Sequence, residues 1–216
     1  MNVNIRELVV FYLVFVFSTT CHEAAHAYFA LRGGDRTAYQ LGHVTLDPIP
    51  HIRRSPFGMV IVPLFGYLLG GVMIGWASVP VDPYWARRHP RRAALMSLAG
   101  PATNALLAVI AFVVLKSLVP SGVFHGLDSS SPLAALRMAL NGLLYLNVAL
   151  AVLNIIPFPP LDGAGVVEGL SPHTAGSFYE RLRQSPSMQM IGLIVIWQLF
   201  PYLFDPILKF VLRLLH

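Results

Sequence analysis

Five apolar stretches, near residues 8–31, 56–77, 93–119, 133–157 and 188–212, make up more than half of the chain. Each approaches the roughly 20 residues that a helix needs to cross the apolar core of a bilayer. Lipid offers backbone groups no hydrogen bonds, so segments immersed in it must be helical or else buried in protein. The balance of 56% hydrophobic against 12% charged residues is foreign to an ordinary soluble domain and fits such a chain. The first stretch continues through His22 and Glu23 to Arg32 without a small-residue cleavage pattern, so it is expected as a mature helix. The expected fold is an all-α polytopic membrane protein. It has about four to six hydrophobic helices, a re-entrant or strand-containing segment on the cytoplasmic side, and one domain over residues 1–216.

Helix boundaries and topology follow from glycine, proline and arginine. The first helix is expected from about Arg6 to Gly33 and Gly34, because paired glycines end helices and Arg32 suits the negative end of the dipole. The loop that follows holds a short alternating run at residues 43–46, read as strand, and ends among Arg53 and Arg54. Residues 87–92 are again rich in arginine, whereas residues 120–132 contain none. The two arginine-rich loops should therefore share the cytoplasmic side. Residues 56–77, interrupted by Pro63, then either enter and return or cross once. The third apolar run goes outward and the fourth returns, which brings the region after Pro157 to the depth of the first helix's second half. The last run contains Pro201 and Pro206 and is read as a kinked span or a helix broken near its outer end.

The net charge of +5 resides in arginines between apolar runs, and no basic, aromatic-interleaved domain lies outside them, so nucleic-acid binding is not expected. A single cysteine, Cys21, excludes an intrachain disulfide and a thiolate cluster; it reads as a packing residue.

His22 and His26 stand four apart, so on a helix both rings project from one face and are able to bind one Zn2+ ion, with Glu23 beside them as general base. Three ionisable groups within five positions of a spanning helix are costly in lipid and mark a functional cavity. A catalytic zinc takes three protein ligands and a water, so a third group must come from elsewhere. Of the six aspartates, four lie in polar connections and Asp205 lies in the terminal helix. Asp162 follows the proline-rich turn at the end of the fourth run and is the favoured ligand. Pro157, Pro159 and Pro160 stop the helix, and Gly163 permits a close turn behind the carboxylate.

The motifs HEAAHA at 22–27, GD at 34–35, GHVTLDPIPHI at 42–52, WASVPVDP at 76–83, AGPATN at 99–104 and NIIPFPPLDG at 154–163 occur in this order. In them the chain resembles the site-2 protease family of intramembrane metalloproteases, in particular its compact prokaryotic members, over about residues 18–168. The resemblance implies one Zn2+ held by His22, His26 and Asp162, with Glu23 activating the water. It also implies a multi-pass protein of a prokaryotic cell membrane, with transmembrane proteins or peptides as substrates and the bilayer as its other partner. Asn104 and Asn154 match family positions suited to substrate or transition-state contacts, and interhelical hydrogen bonding is the alternative for both. His43, Ser78 and Asp82 depart from the residues common at their positions, and His43 or His51 is either a further ligand or a loop histidine without one. A metal transporter is the rival reading, but one compact ligand set without a second array across the membrane does not form an ion pathway.

Overall fold

The computed structural model describes residues 4–128 and 130–215. Among the described residues there is no β-strand, and the elements in order are α1 (Ile5–Gly33), α2 (Thr37–Gln40), α3 (Pro48–Arg54), a π-helical turn (Phe57–Ile61) running into α4 (Val62–Gly70), α5 (Pro83–Arg88), α6 (Pro90–Leu118), α7 (Pro132–Asn154), α8 (Asp162–Leu170), α9 (Pro172–Gln184) and α10 (Pro186–Leu215). Four of them, α1, α6, α7 and α10, are long and apolar enough to span a membrane. The protein is a polytopic, all-helical membrane protein.

Helix α1 begins where the Asn4 side chain accepts from the backbone of Arg6 and Glu7, and it ends where Gly34 takes the left-handed conformation. These limits are the expected ones. Helix α10 runs unbroken through Pro201 and Pro206, so it is not the broken helix held open as an alternative. Interior prolines are tolerated in lipid-embedded helices, where neighbouring groups satisfy the freed carbonyls. The apolar core joins α6, α7 and α10 through Ala108, Ala111, Leu115, Leu144, Val148 and Phe204.

The segment between α3 and α5 goes out and comes back. Tyr67, near the end of α4, packs on Phe11 and donates to Glu7 in the first turn of α1. After the left-handed turn at Gly71 the chain is extended, and Asp82 N–H donates to Asp35, just past the other end of α1. The eleven residues 72–82, extended, span roughly 36 Å, most of the roughly 42 Å that the 28 positions from Glu7 to Asp35 cover at 1.5 Å each. The returning strap therefore descends alongside the stretch of α1 that carries the histidines. This is the re-entrant arrangement. The strand expected at residues 43–46 is instead a run of bends, because His43 N–H is spent on Ala38 C=O in the turn around Gly42, leaving that stretch outside any ladder.

Two glycines seat the strap. Trp76 N–H donates to Gly58 C=O at 3.1 Å. A β-carbon on Gly58 would lie 2.1 Å from Trp76 O, and one on Gly75 would lie 2.2 Å from Gly58 O. Backbone meets backbone here, with no flexible side chain able to give way. Gly58→Val is expected to lift the strap and to lower the thermal unfolding stability by about 1–3 kcal/mol, as overpacking of tight contacts does; differential scanning fluorimetry in detergent checks it.

Candidate metal centre

His22 and His26 lie in the second half of α1, and both are buried, as is Glu23 between them. His22 stands eleven residues before Gly33, roughly 17 Å from that end of the helix. Asp162 is the first residue of α8. The turn from α7 delivers it, and Gly163 is essential there: a β-carbon would lie 2.2 Å from the Ile155 carbonyl oxygen. Helix α8 is clamped to α6 through two more glycines one turn apart. A β-carbon on Gly165 would meet Ser97 Oγ at 2.4 Å, and one on Gly169 would meet Pro90 O at 2.3 Å. Small residues four apart let helix backbones approach closely in a membrane.

The three side chains converge. The two Nε2 atoms are 3.0 Å apart. His22 Nε2 is 3.1 Å from Asp162 Oδ2, and His26 Nε2 is 3.3 Å from Asp162 Oδ1.

Hydrogen bonding on the far side of the rings decides what faces the centre. His26 Nδ1 lies 2.7 Å from the Met96 carbonyl oxygen. A carbonyl only accepts, so Nδ1 carries the proton and Nε2 a lone pair. His22 Nδ1 is 2.5 Å from Asn104 Oδ1, with the same consequence for its own Nε2. Asp162 Oδ2 is buried and accepts no hydrogen bond despite its closeness to His22. With both rings neutral, two imidazole lone pairs and the carboxylate face one another with no proton among them. These separations, one to each carboxylate oxygen, are near the roughly 3.3 Å expected between tetrahedral zinc ligands held at 2.0–2.1 Å. The donor set therefore fits Zn2+. The helix α6 backbone leaves room for it, since a β-carbon on Gly100 would lie 2.4 Å from His26 Nε2 and 2.5 Å from His22 Nε2.

A cavity of ≈ 450 Å³ opens on the centre. Thr19, Glu23 and Asn154 line it, and the strap from Gly75 to Val81 forms another wall. Asn154 therefore sits where an occupant of the cavity would meet its amide. Asn104 does not: its side chain is fully buried behind His22, with one end on that ring and the other on Asn147. Of its two readings at the level of sequence, interhelical hydrogen bonding is the one its surroundings match.

His43 and His51 are brought to each other, ring centroids 5.4 Å apart, and are not in the group formed by His22, His26 and Asp162. Burial, then the His51 ring and the Arg54 guanidinium, pushes the His43 imidazole below its ordinary pKa. Gly100 and Met96 were not singled out from sequence, whereas the strap lies in the enter-and-return segment and the WASVPVDP motif read there. Gly100 lies within the AGPATN motif, yet nothing in one sequence tells a glycine that makes room for a metal from one that ends a turn. Gly100→Ala is expected to abolish stoichiometric zinc binding while the helical content persists, as checked by metal analysis and circular dichroism of the purified protein.

Comparison with known proteins agrees with this chemistry. Residues 10–199 match the model of peptidase family M50. Over 190 residues the chain is 33% identical to the Bacillus subtilis (strain 168) protein named "Putative zinc metalloprotease YwhC", covering 86% of this chain and 78% of that one. It is 30% identical over 180 residues to Rip2 of Mycolicibacterium smegmatis and to Rip2 of Mycobacterium tuberculosis H37Rv, both named in the same way. Those matches cover 83% of this chain but only 62% and 63% of the Rip2 chains, so this protein spans less than two thirds of their length. No solved structure matches. With a zinc-fitting centre in a bundle of spanning helices, and with a family model that covers most of its length, the chain belongs to peptidase family M50, the site-2 protease family, and is a zinc metalloprotease.

Proposed function

We propose that this protein is an intramembrane endopeptidase that hydrolyses peptide bonds in or near the transmembrane segments of membrane-protein substrates, with Glu23 as general base. One observation carries the reading: the zinc-fitting triad and Glu23 open onto a single cavity whose other wall is the extended strap. Residues 1–216 act together as one membrane-embedded domain.

A peptide bond within a helix is shielded, and its carbonyl is already hydrogen-bonded, so the substrate must first unwind. The strap supplies a place for the opened chain. From Gly75 to Val81 it is extended alongside the centre, and an unwound substrate segment adds to it as a strand, pairing main chain to main chain. Arg54 Nε donates to Ser78 C=O at 3.0 Å, which ties the strap to α3 and holds it in place while substrate binds.

His22, His26 and Asp162 would hold the metal, which would lower the pKa of a bound water and polarise a carbonyl. Glu23 accepts the proton of the attacking water as its oxygen bonds to the scissile carbonyl carbon. The carboxyl then returns that proton to the amide nitrogen as the C–N bond breaks, so one water is consumed and no acyl-enzyme forms. Asn154, on the same cavity, orients the substrate backbone through its amide. Water enters from the end of the bundle where Arg32, Arg53, Arg54, Arg87 and Arg92 gather, which by the positive-inside rule faces the cytoplasm of a bacterial cell.

Cleavage of a panel of single-span substrates in liposomes tests the reading. Glu23→Gln is expected to lose about 10²-fold or more of the cleavage rate, the contribution typical of a general base, while retaining its zinc. Asp162→Ala is expected to lose zinc and cleavage together. Equal cleavage by wild type and both variants would remove the assignment.

A further inference from the structure

The proton on His22 is fixed by a group two residues away from it. His26 is oriented by a backbone carbonyl, which has only one role to play. His22 faces the side-chain amide of Asn104, and an amide is able to present either end. What decides the end lies deeper in the bundle.

Asn147 of α7 lies with its amide nitrogen 2.8 Å from the Leu143 carbonyl oxygen, one turn back on its own helix. That oxygen only accepts, so this end of Asn147 is the NH2 group. The same NH2 lies 2.8 Å from Ser18 Oγ of α1. The other end of Asn147 is then its oxygen, and it stands 2.7 Å from Asn104. Facing an acceptor, Asn104 offers its own NH2 and turns its oxygen toward His22 Nδ1, 2.5 Å away. That nitrogen must bear hydrogen, which leaves the lone pair of Nε2 for the metal.

The Ser18 hydroxyl takes either role, but the Leu143 carbonyl does not: a flip of Asn147 would set two acceptors together there and two donors together at Asn104, and a flip of Asn104 would set two acceptors together at Asn147. Water is no substitute, because Ser18, Asn104 and Asn147 are each 0% exposed. An unpaired group in this setting costs the full desolvation of a buried polar atom.

We infer that Asn147, anchored on the Leu143 carbonyl and Ser18, is a positioning residue that acts through Asn104 to hold His22 in its zinc-binding tautomer. The inference rests on His22 being a zinc ligand. Ligands whose outer hydrogen bond is removed typically lose 10–100-fold in metal affinity.

The test measures zinc affinity of the full-length protein in detergent by competition with a chelator, together with the melting temperature of the metal-free form. Asn104→Leu and Asn147→Leu are each expected to weaken zinc binding by roughly 10–100-fold. The double variant is expected to be no weaker than Asn104→Leu alone, because Asn147 has no route to the metal except through Asn104. Leu144→Ala, beside Asn147 on α7 and buried without a place in the relay, is expected to lower the melting temperature and leave zinc affinity unchanged. Unchanged affinity in Asn147→Leu, additive losses in the double variant, or zinc losses that merely follow melting temperature in all variants would each overturn the inference. Asn147→Val is read in the same way if the leucine variant does not fold. Absence of zinc binding by the wild type would be a failure of the metal centre itself, and so is distinguishable.

Discussion

Two neutral imidazoles and a carboxylate held 3.0–3.3 Å apart inside a helical bundle turn lone pairs on one another unless a cation lies among them. Much of the architecture serves to create that arrangement and keep it. The helix period puts His22 and His26 on one face of α1, and the Pro157–Pro160 turn hands Asp162 over from the end of α7. Glycine then does what no larger residue is able to do. Gly100 leaves space beside the two imidazoles, Gly163 lets the chain turn behind the carboxylate, and Gly165 and Gly169 press α8 onto α6. In lipid, where apolar surface gains little by meeting other apolar surface, such close backbone packing is a main source of helix association.

The re-entrant segment answers a different constraint. Extended backbone is tolerated at membrane depth only where protein covers it or it lines a cavity, and residues 72–82 meet that condition by lying along α1. The segment leaves as helix and returns as extended chain. The difference in rise between the two conformations, 1.5 Å against about 3.3 Å per residue, lets few residues bring the chain back past the histidines. The wall it lends the cavity beside the metal centre is thus a product of the same geometry that forces the return.

Much of the site was legible because its signals are local or chemically rare. HEAAH needs only the helix period, and a carboxylate set behind three prolines at a helix end has few other uses. The limits of α1 were legible from about Arg6 to the paired glycines, though not the Asn4 cap, and the re-entrant path was one of two readings that arginine placement allowed. What one sequence does not carry is long-range pairing. Ser18 and Asn147 are 129 positions apart and look like any small polar residues in a spanning helix. Their spacing held the clue in hindsight: Ser18 is four residues before His22, and Asn147 seven before Asn154, so each shares a helix face with a residue of the site. Alternation at residues 43–46 misled because a strand needs a partner and the nearby chain provides none. Asn104, matched by resemblance to a substrate contact, is drawn instead to the back of His22, a placement that depends on how α6 packs against α1.

Zinc K-edge X-ray absorption on the purified, metal-loaded protein tests the centre most directly. The arrangement of His22, His26 and Asp162 predicts one zinc with two imidazole nitrogens at about 2.0–2.1 Å, oxygen ligands at about 2.0–2.2 Å and the outer-shell scattering of two rings. A sulfur neighbour near 2.3 Å, a shell of oxygens without imidazole scattering, or a fit requiring a third or fourth histidine would contradict it.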